Sequence, residues 1–181
     1  MLNTVFLPGE KIDLSVLDND TDLSRYVKWI NDQKITKYME TGLSPVTNNN
    51  LRDYIESSNN STGLLLGIFI KDCAEHIGNV KLHNINFKSR RADIGIMIGE
   101  FSAQGKGYGL EAIQLVLQHA FMVLNLNKIC AGANINNLSS VKLFEKAGFQ
   151  LEGTLREQFY VDDRYHDCLQ LGILKDEYIQ A

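Results

Sequence analysis

The sequence predicts an α/β (α+β) fold: a mixed, twisted, mostly antiparallel sheet of about seven strands with helices on both faces. Three observations carry that prediction. The elements follow the order β α α β β β α β α β β. Hairpin signals precede a glycine-rich turn, and hairpins make antiparallel pairs. A strand–helix–strand unit surrounds the turn, which implies one parallel pair joined by a right-handed crossover.

Each element has its own signal. Residues 12–17 alternate apolar and polar side chains, as a strand with one buried face does. Leu23, Tyr26, Val27 and Ile30 recur at helical spacing, with Asp22 or Thr21 as the cap. Leu51, Tyr54 and Ile55 mark a second short helix, capped by Thr47 or Asn48. Residues 64–70 form an apolar strand, 71–75 a turn, and 76–83 the returning strand. In the fourth predicted strand, 92–98, Asp93, Gly95 and Met97 face one side and Ile94, Ile96 and Ile98 the other. The next helix, 107–123, carries the stripe Leu110, Ile113, Leu117, Phe121 and Leu124. A strand at 128–133 and a helix at 139–147 follow, and Gly148 stops that helix. Strands at 150–159 and 167–174 complete the sheet, with Asp162 and Asp163 in their connection.

At 181 residues the chain predicts a single domain spanning 1–181. Its 44% hydrophobic content fills a sizeable core, and a net charge of −4 gives no basic surplus for nucleic acid. No apolar run approaches the roughly 18 residues of a membrane span. The first residues lack a basic stretch followed by an apolar one, so no signal peptide is expected. Cys73, Cys130 and Cys168 cannot all pair, and none has C-x-x-C spacing. Cys130 reads as a buried small hydrophobe, and reduced thiols fit a cytoplasmic protein. No grouping has metal-ligand spacing, so no metal is expected.

Chemistry concentrates in two segments. Residues 104–109 read Gln-Gly-Lys-Gly-Tyr-Gly and lead into a helix. Glycines let a backbone approach a ligand, and a helix N-terminus presents unpaired N–H groups that bind phosphate. By itself the hexamer also reads as a plain helix-entry turn. It lacks the G-x-x-x-x-G-K-[ST] pattern of phosphate-loop hydrolases. About thirty residues on comes Asn134-Ile-Asn-Asn137-Leu-Ser-Ser140-Val-Lys-Leu-Phe144-Glu-Lys-Ala-Gly148-Phe149.

Together the two segments resemble the acyl-CoA site of the GNAT superfamily of N-acetyltransferases, and the element order is similar over nearly the whole chain. Residues 26–32 and 153–167 resemble the branch of ribosomal-protein N-terminal acetyltransferases, which also includes polyamine and amino-sugar acetyltransferases. The resemblance implies a GNAT-type sheet, acetyl-CoA as co-substrate and an amine acceptor. It implies that Met97, Ile98 and Gly99 pair with the pantetheine arm, a backbone N–H there holding the thioester oxygen. It puts the pyrophosphate on the loop of Gln104, Gly105, Lys106, Gly107, Tyr108 and Gly109. Asn137 contacts pantetheine or phosphate, Ser140 lies near the sulfur, and Phe144 belongs to the cofactor set. Homodimers or higher homo-oligomers are compatible with the resemblance.

Amide formation from a thioester needs a neutral amine, a donor for the developing oxyanion and a leaving thiolate. Many relatives carry a tyrosine at the Phe144 position, which can protonate the thiolate; Phe144 has no proton to give. Ser140, another tyrosine or a water are the substitutes. Asp93, Glu100 and His83 are the candidate bases. Each has a plainer reading, as a polar strand start, a solvated turn and a strand-end histidine. Tyr160, Tyr165 and His166, around Asp162 and Asp163, read either as a cover for the acceptor or as a solvated hairpin turn. Weak acid and base candidates favour an acceptor less basic than lysine. The preferred acceptor is a small amine such as a nucleotide-linked amino sugar, with a protein N-terminus or a polyamine as alternatives. A non-catalytic acyl-CoA-binding module is the reading from a different class.

Overall fold

The computed structural model describes residues 4–18 and 20–180. Eight strands form one sheet: β1 (Val5–Pro8), β2 (Ile12–Val16), β3 (Leu64–Ile70), β4 (Glu75–Asn86), β5 (Arg91–Ile98), β6 (Lys128–Asn134), β7 (Gln150–Val161) and β8 (Arg164–Leu174). Their spatial order is β1-β2-β3-β4-β5-β6-β8-β7. Every neighbouring pair is antiparallel except β5–β6, which is parallel. The helices are α1 (Ser24–Ile30), α2 (Gln33–Thr36), α3 (Asn48–Ser58), α4 (Tyr108–Gln118), α5 (Leu138–Lys146) and α6 (Lys175–Gln180).

Strand alternation divides the core between the two faces. Leu66, Ile68, Val80, Leu82, Ile94, Ala131 and Ala133 pack with Ile113 and Leu117 of α4 and Phe144 of α5. On the opposite face Leu65, Phe69 and Met97 meet Tyr26 and Trp29 of α1 and Leu51 and Ile55 of α3. The face carrying a side chain is thus fixed by its parity along the strand.

The sheet has one strand more than the sequence predicts. β1 was missed because four residues ending in Pro8 show no alternation; an edge strand tolerates proline, since one row of its N–H groups needs no partner. Two short helices, α2 and α6, also lie below the length at which periodicity is readable. The cap of α1 differs too: Leu23 holds the cap position without a side-chain bond, while Asp22 Oδ1 accepts from the Ser24 N–H at 2.9 Å. For α3 the cap is Thr47, in a reciprocal capping box with Asn50. The predicted helix 107–123 is α-helical to Gln118 and continues as a π turn over His119–Val123.

The connection expected between β7 and β8 is a two-residue turn. Asp162 and Asp163 have φ of 52° and 58°, the pair of positive angles that a tight hairpin turn requires. Tyr160, Tyr165 and His166 are therefore strand residues. The two tyrosine rings contact each other at 5.0 Å, and Lys37 just after α2 pairs with Asp162 at 2.7 Å. Cys130 is half-buried rather than buried.

α4 is anchored at its N-terminal turn. Glu111 Oε1 accepts from the Glu10 N–H at 2.6 Å and the Lys11 N–H at 2.9 Å, tying the β1–β2 turn to the helix. Gly107 caps α4 with φ 89°, and Gly105 has φ 73°, both left-handed angles that favour glycine. At the end of β5, Gly99 serves close approach instead: a Cβ there would overlap the Trp29 indole.

Gly99→Ala is expected to cost about 1–3 kcal/mol as an overpacked contact. For a chain of this size that is a drop in Tm of about 2–12 °C. A Trp29→Leu change should be less damaging in the Gly99→Ala background than in the wild type, and a double-mutant cycle of thermal melts checks this coupling.

Candidate active site

β5 and β6 pair over only three residues: Arg91 with Lys128, Ala92 with Ile129 and Asp93 with Cys130. Beyond them each strand keeps its outer neighbour, β4 as far as Ile98 and β8 as far as Asn134. The two strands part, and a cleft of about 290 Å³ lies between residues 94–97 and 132–134. The Ile98 carbonyl accepts from Gln104 Nε2 at 2.9 Å, so it faces away from β4. Alternation turns the backbone groups of Ile94 and Ile96 the same way, toward the cleft.

The cleft passes through the sheet. From the α4/α5 face it is lined by Asn137, Ser140 and Phe144. The Asn137 Oδ1 accepts from the Ser140 N–H at 3.3 Å, which caps α5 and directs its first turn at the gap. Phe144 is 2% exposed and packs edge-on against Phe149 at 5.1 Å. Beside them, Gly109 lets α4 approach α5; a Cβ there would sit 3.3 Å from Leu143. Gly105 and Gly107 have open space where a Cβ would lie. Tyr108 packs on the core, while Lys106 is exposed.

From the other face the lining is Tyr26, Tyr38, Met39, Tyr54, Asn79, Lys81 and His83. Asn79, Lys81 and His83 alternate along β4 on the side of Met97, opposite Val80 and Leu82. Lys81 Nζ donates to Ser58 Oγ at 2.9 Å and Tyr54 Oη at 3.2 Å, and sits 4.5 Å from the Tyr54 ring centre. Burial lowers the His83 pKa from its ordinary value, and the neighbouring Asp93 carboxylate opposes this. The same cause lowers the pKa of His76 and raises that of the Tyr26 phenol. No aspartate or glutamate is among the described residues lining the cleft.

The three candidate bases do not converge. Only His83 lines the cleft. Asp93 accepts from Asn84 Nδ2 at 2.8 Å on the strand opposite His83. Glu100 is drawn away to Arg25 at 3.3 Å, in a cluster with Glu75. Gln104 holds the end of β5 with its side chain. Of the hairpin residues, His166 Nε2 bonds the Val161 carbonyl at 3.0 Å, and its Nδ1 meets Asn136 Nδ2 at 2.8 Å.

Residues 13–150 match the family model of the acetyltransferase (GNAT) domain. The uncharacterized N-acetyltransferase p20 of Bacillus licheniformis is 34% identical over 152 residues, 81% of this chain and 84% of that one. The chain belongs to the GNAT acetyltransferase family. A spermidine N(1)-acetyltransferase of Escherichia coli K12 is 29% identical over 95% of this chain and 86% of its own. Among solved structures, spermidine N-acetyltransferase from Vibrio cholerae in complex with CoA and spermine superimposes with a TM-score of 0.83. It is 28% identical, covering 93% of this chain and 98% of that one.

This GNAT protein is thus an acetyl-CoA-dependent N-acetyltransferase. Sequence reasoning missed Tyr38, Met39, Tyr54, Asn79 and Lys81 on the second face of its cleft. A signal was available for two of them: Asn79, Lys81 and His83 are polar at period two, alternating with the apolar Val80 and Leu82. Tyr38, Met39 and Tyr54 reach the cleft from outside the sheet, where no local pattern marks them.

Buried His76 and half-buried His83 and His119 set a pH dependence of stability. His76, His83 and His119 all have folded pKa values lowered by burial. The unfolded chain, with histidine near 6.5, therefore binds more protons just below that pH, so stability falls on acidification. Melts from pH 8 to 5.5 should show Tm declining below about pH 6.5. His76→Gln should flatten the slope.

Proposed function

We propose that this enzyme acetylates a small primary amine that also carries anionic or oxygen-rich groups, with a nucleotide-linked amino sugar as the preferred class. The observation that carries this reading is the charge of the cleft: Lys81 lines its second face, and no carboxylate does among the described residues. A polyamine bears several positive charges, and each would enter a low-dielectric cleft beside an ammonium, where like charges repel strongly. A phosphate or carboxylate would instead meet a lysine two of whose three hydrogens are already directed by Tyr54 and Ser58. Polyamine acetylation is the second reading, favoured by the spermidine acetyltransferases to which the chain is similar.

The chain's own groups suit the chemistry. The open left-handed glycines Gly105 and Gly107, at the N-terminus of α4, fit a pyrophosphate held by backbone N–H groups. The free edge of β5 fits the amide-bearing pantetheine arm, and the Ile98 N–H would hold the acyl oxygen. The co-substrate supplies an activated acyl carbon. Asn137 and Ser140, which line the cleft at the start of α5, would lie beside the pantetheine arm, and Ser140 would be the hydroxyl that returns a proton to the departing thiolate in place of the absent tyrosine. His83 would take a proton from the acceptor's ammonium before the neutral amine attacks; burial favours its neutral form, the form that accepts. A base of this strength suits an amine less basic than lysine.

Free-thiol release from acetyl-CoA, followed across nucleotide-linked amino sugars, free amino sugars, spermidine and short peptides, tests the reading. Nucleotide-linked amino sugars should drive release, and Lys81→Met should raise their KM about 10-fold with little change in kcat. His83→Gln should lower kcat about 100-fold. Release with spermidine alone would sink the proposed class.

A further inference from the structure

Two carboxamides of the cleft are buried with their donors unspent. Asn79 is 4% exposed and Asn134 1%, both line the cleft, and the Nδ2 of each has no acceptor among the described residues. Their orientations are fixed by backbone atoms. His76 Nε2 lies 3.0 Å from the Gly78 carbonyl and 3.0 Å from Asn79 Oδ1. A carbonyl only accepts, so Nε2 carries the proton, and Asn79 must turn its oxygen to it. The Asn79 NH₂ is then directed away from His76. Asn134 Oδ1 accepts from the Asn136 N–H at 2.9 Å, which settles that amide in the same way.

Both residues lie on one face. In β6, Ala131 and Ala133 join the core under α4 and α5, so Asn134 points to the opposite side. Asn79 alternates with Val80 and shares its face with its cross-strand partner Met97, which belongs to the core of α1 and α3. The two amides thus line the cleft from opposite sides, Asn79 from β4 across β5 and Asn134 from β6, on the face away from Asn137 and Ser140. Nothing stands within 4 Å of where a Cβ of Gly95 would be, so the β5 floor beside Asn79 is open.

We infer that Asn79 and Asn134 form a two-donor clamp that binds oxygen atoms of the amine acceptor, with His76 as the positioning residue that aims the Asn79 amide. A buried donor without a partner carries a desolvation penalty, which an acceptor oxygen relieves. The ligand that does so bears hydroxyl or carbonyl oxygens at two points, as an amino sugar does. Protonated polyamine nitrogens are donors only and leave both amides unpaired. This inference rests on the reading of the cleft's second face as the acceptor site.

Asn79→Asp and Asn134→Asp are the informative variants. Each keeps the oxygen that bonds His76 or the Asn136 N–H, and each removes the donor. Thermal melts identify any variant that fails to fold, and Asn→Ala at the same position, which also lacks the donor, then takes its place. Acceptor KM is measured with whichever amine the wild type uses, so the wild-type panel judges the substrate class and the variants judge the clamp. An acceptor KM raised 10-fold or more, with the acetyl-CoA KM within twofold, supports it. So does a His76→Gln effect on acceptor KM that vanishes in the Asn79→Asp background. An unchanged acceptor KM in both variants overturns it, and so does a rise confined to acetyl-CoA. For an amino-sugar acceptor, a deoxy analogue should lose affinity in the wild type but not in the matching variant; equal loss in both would also overturn it.

Discussion

The structure turns on the separation of β5 from β6. Two parallel strands that pair for three residues and then diverge leave the backbone of one strand facing open space in the middle of a sheet. Such an edge is costly unless its N–H and C=O groups find partners. Here it is stabilised from outside: β4 and β8 hold the two strands along their full outer edges. Gln104 ties the Ile98 carbonyl, and Trp29 packs on Gly99 at the strand end. The gap is thereby a fixed feature, and a ligand with its own amides is the natural complement to its edge.

Because the gap traverses the sheet, its two mouths differ in chemistry. The α4/α5 side offers left-handed glycines, a helix N-terminus and the capped first turn of α5, all backbone-rich and suited to a phosphate-bearing cofactor. The α1/α3 side offers side-chain donors: an ammonium, two amides and three phenols. Under the proposed reading, transfer across such a gap would need no covalent intermediate on the protein, since both reactants would reach it from opposite faces. Phe144 lines the gap as a packed core residue set edge-on against Phe149, which explains how the fold accommodates it whatever group supplies the proton.

Much of this was legible in the sequence. The glycine hexamer, the Gly148 stop and the period-two pattern of residues 92–98 are local signals, and each of these elements stands where its signal predicts. The eighth strand and the full length of the β7–β8 hairpin were not, because an edge strand ending in proline has no alternation and because two aspartates at positive φ read as a loop. Glu100 shows a different limit. Nothing near it in sequence marks Arg25, seventy-five residues earlier, as the partner that draws it out of the cleft.

The sequence by itself determined the family, the glycine-rich turn into α4 and which side chains share a strand face, since dihedral preferences, caps and period-two patterning act within a few residues. Tertiary structure alone decided where β5 and β6 part, which of three acidic and basic candidates reaches the gap, and that Asn79, Lys81 and Asn134 confront one space. Those outcomes depend on contacts between segments far apart in the chain. There, packing and the satisfaction of buried polar groups outweigh any local preference.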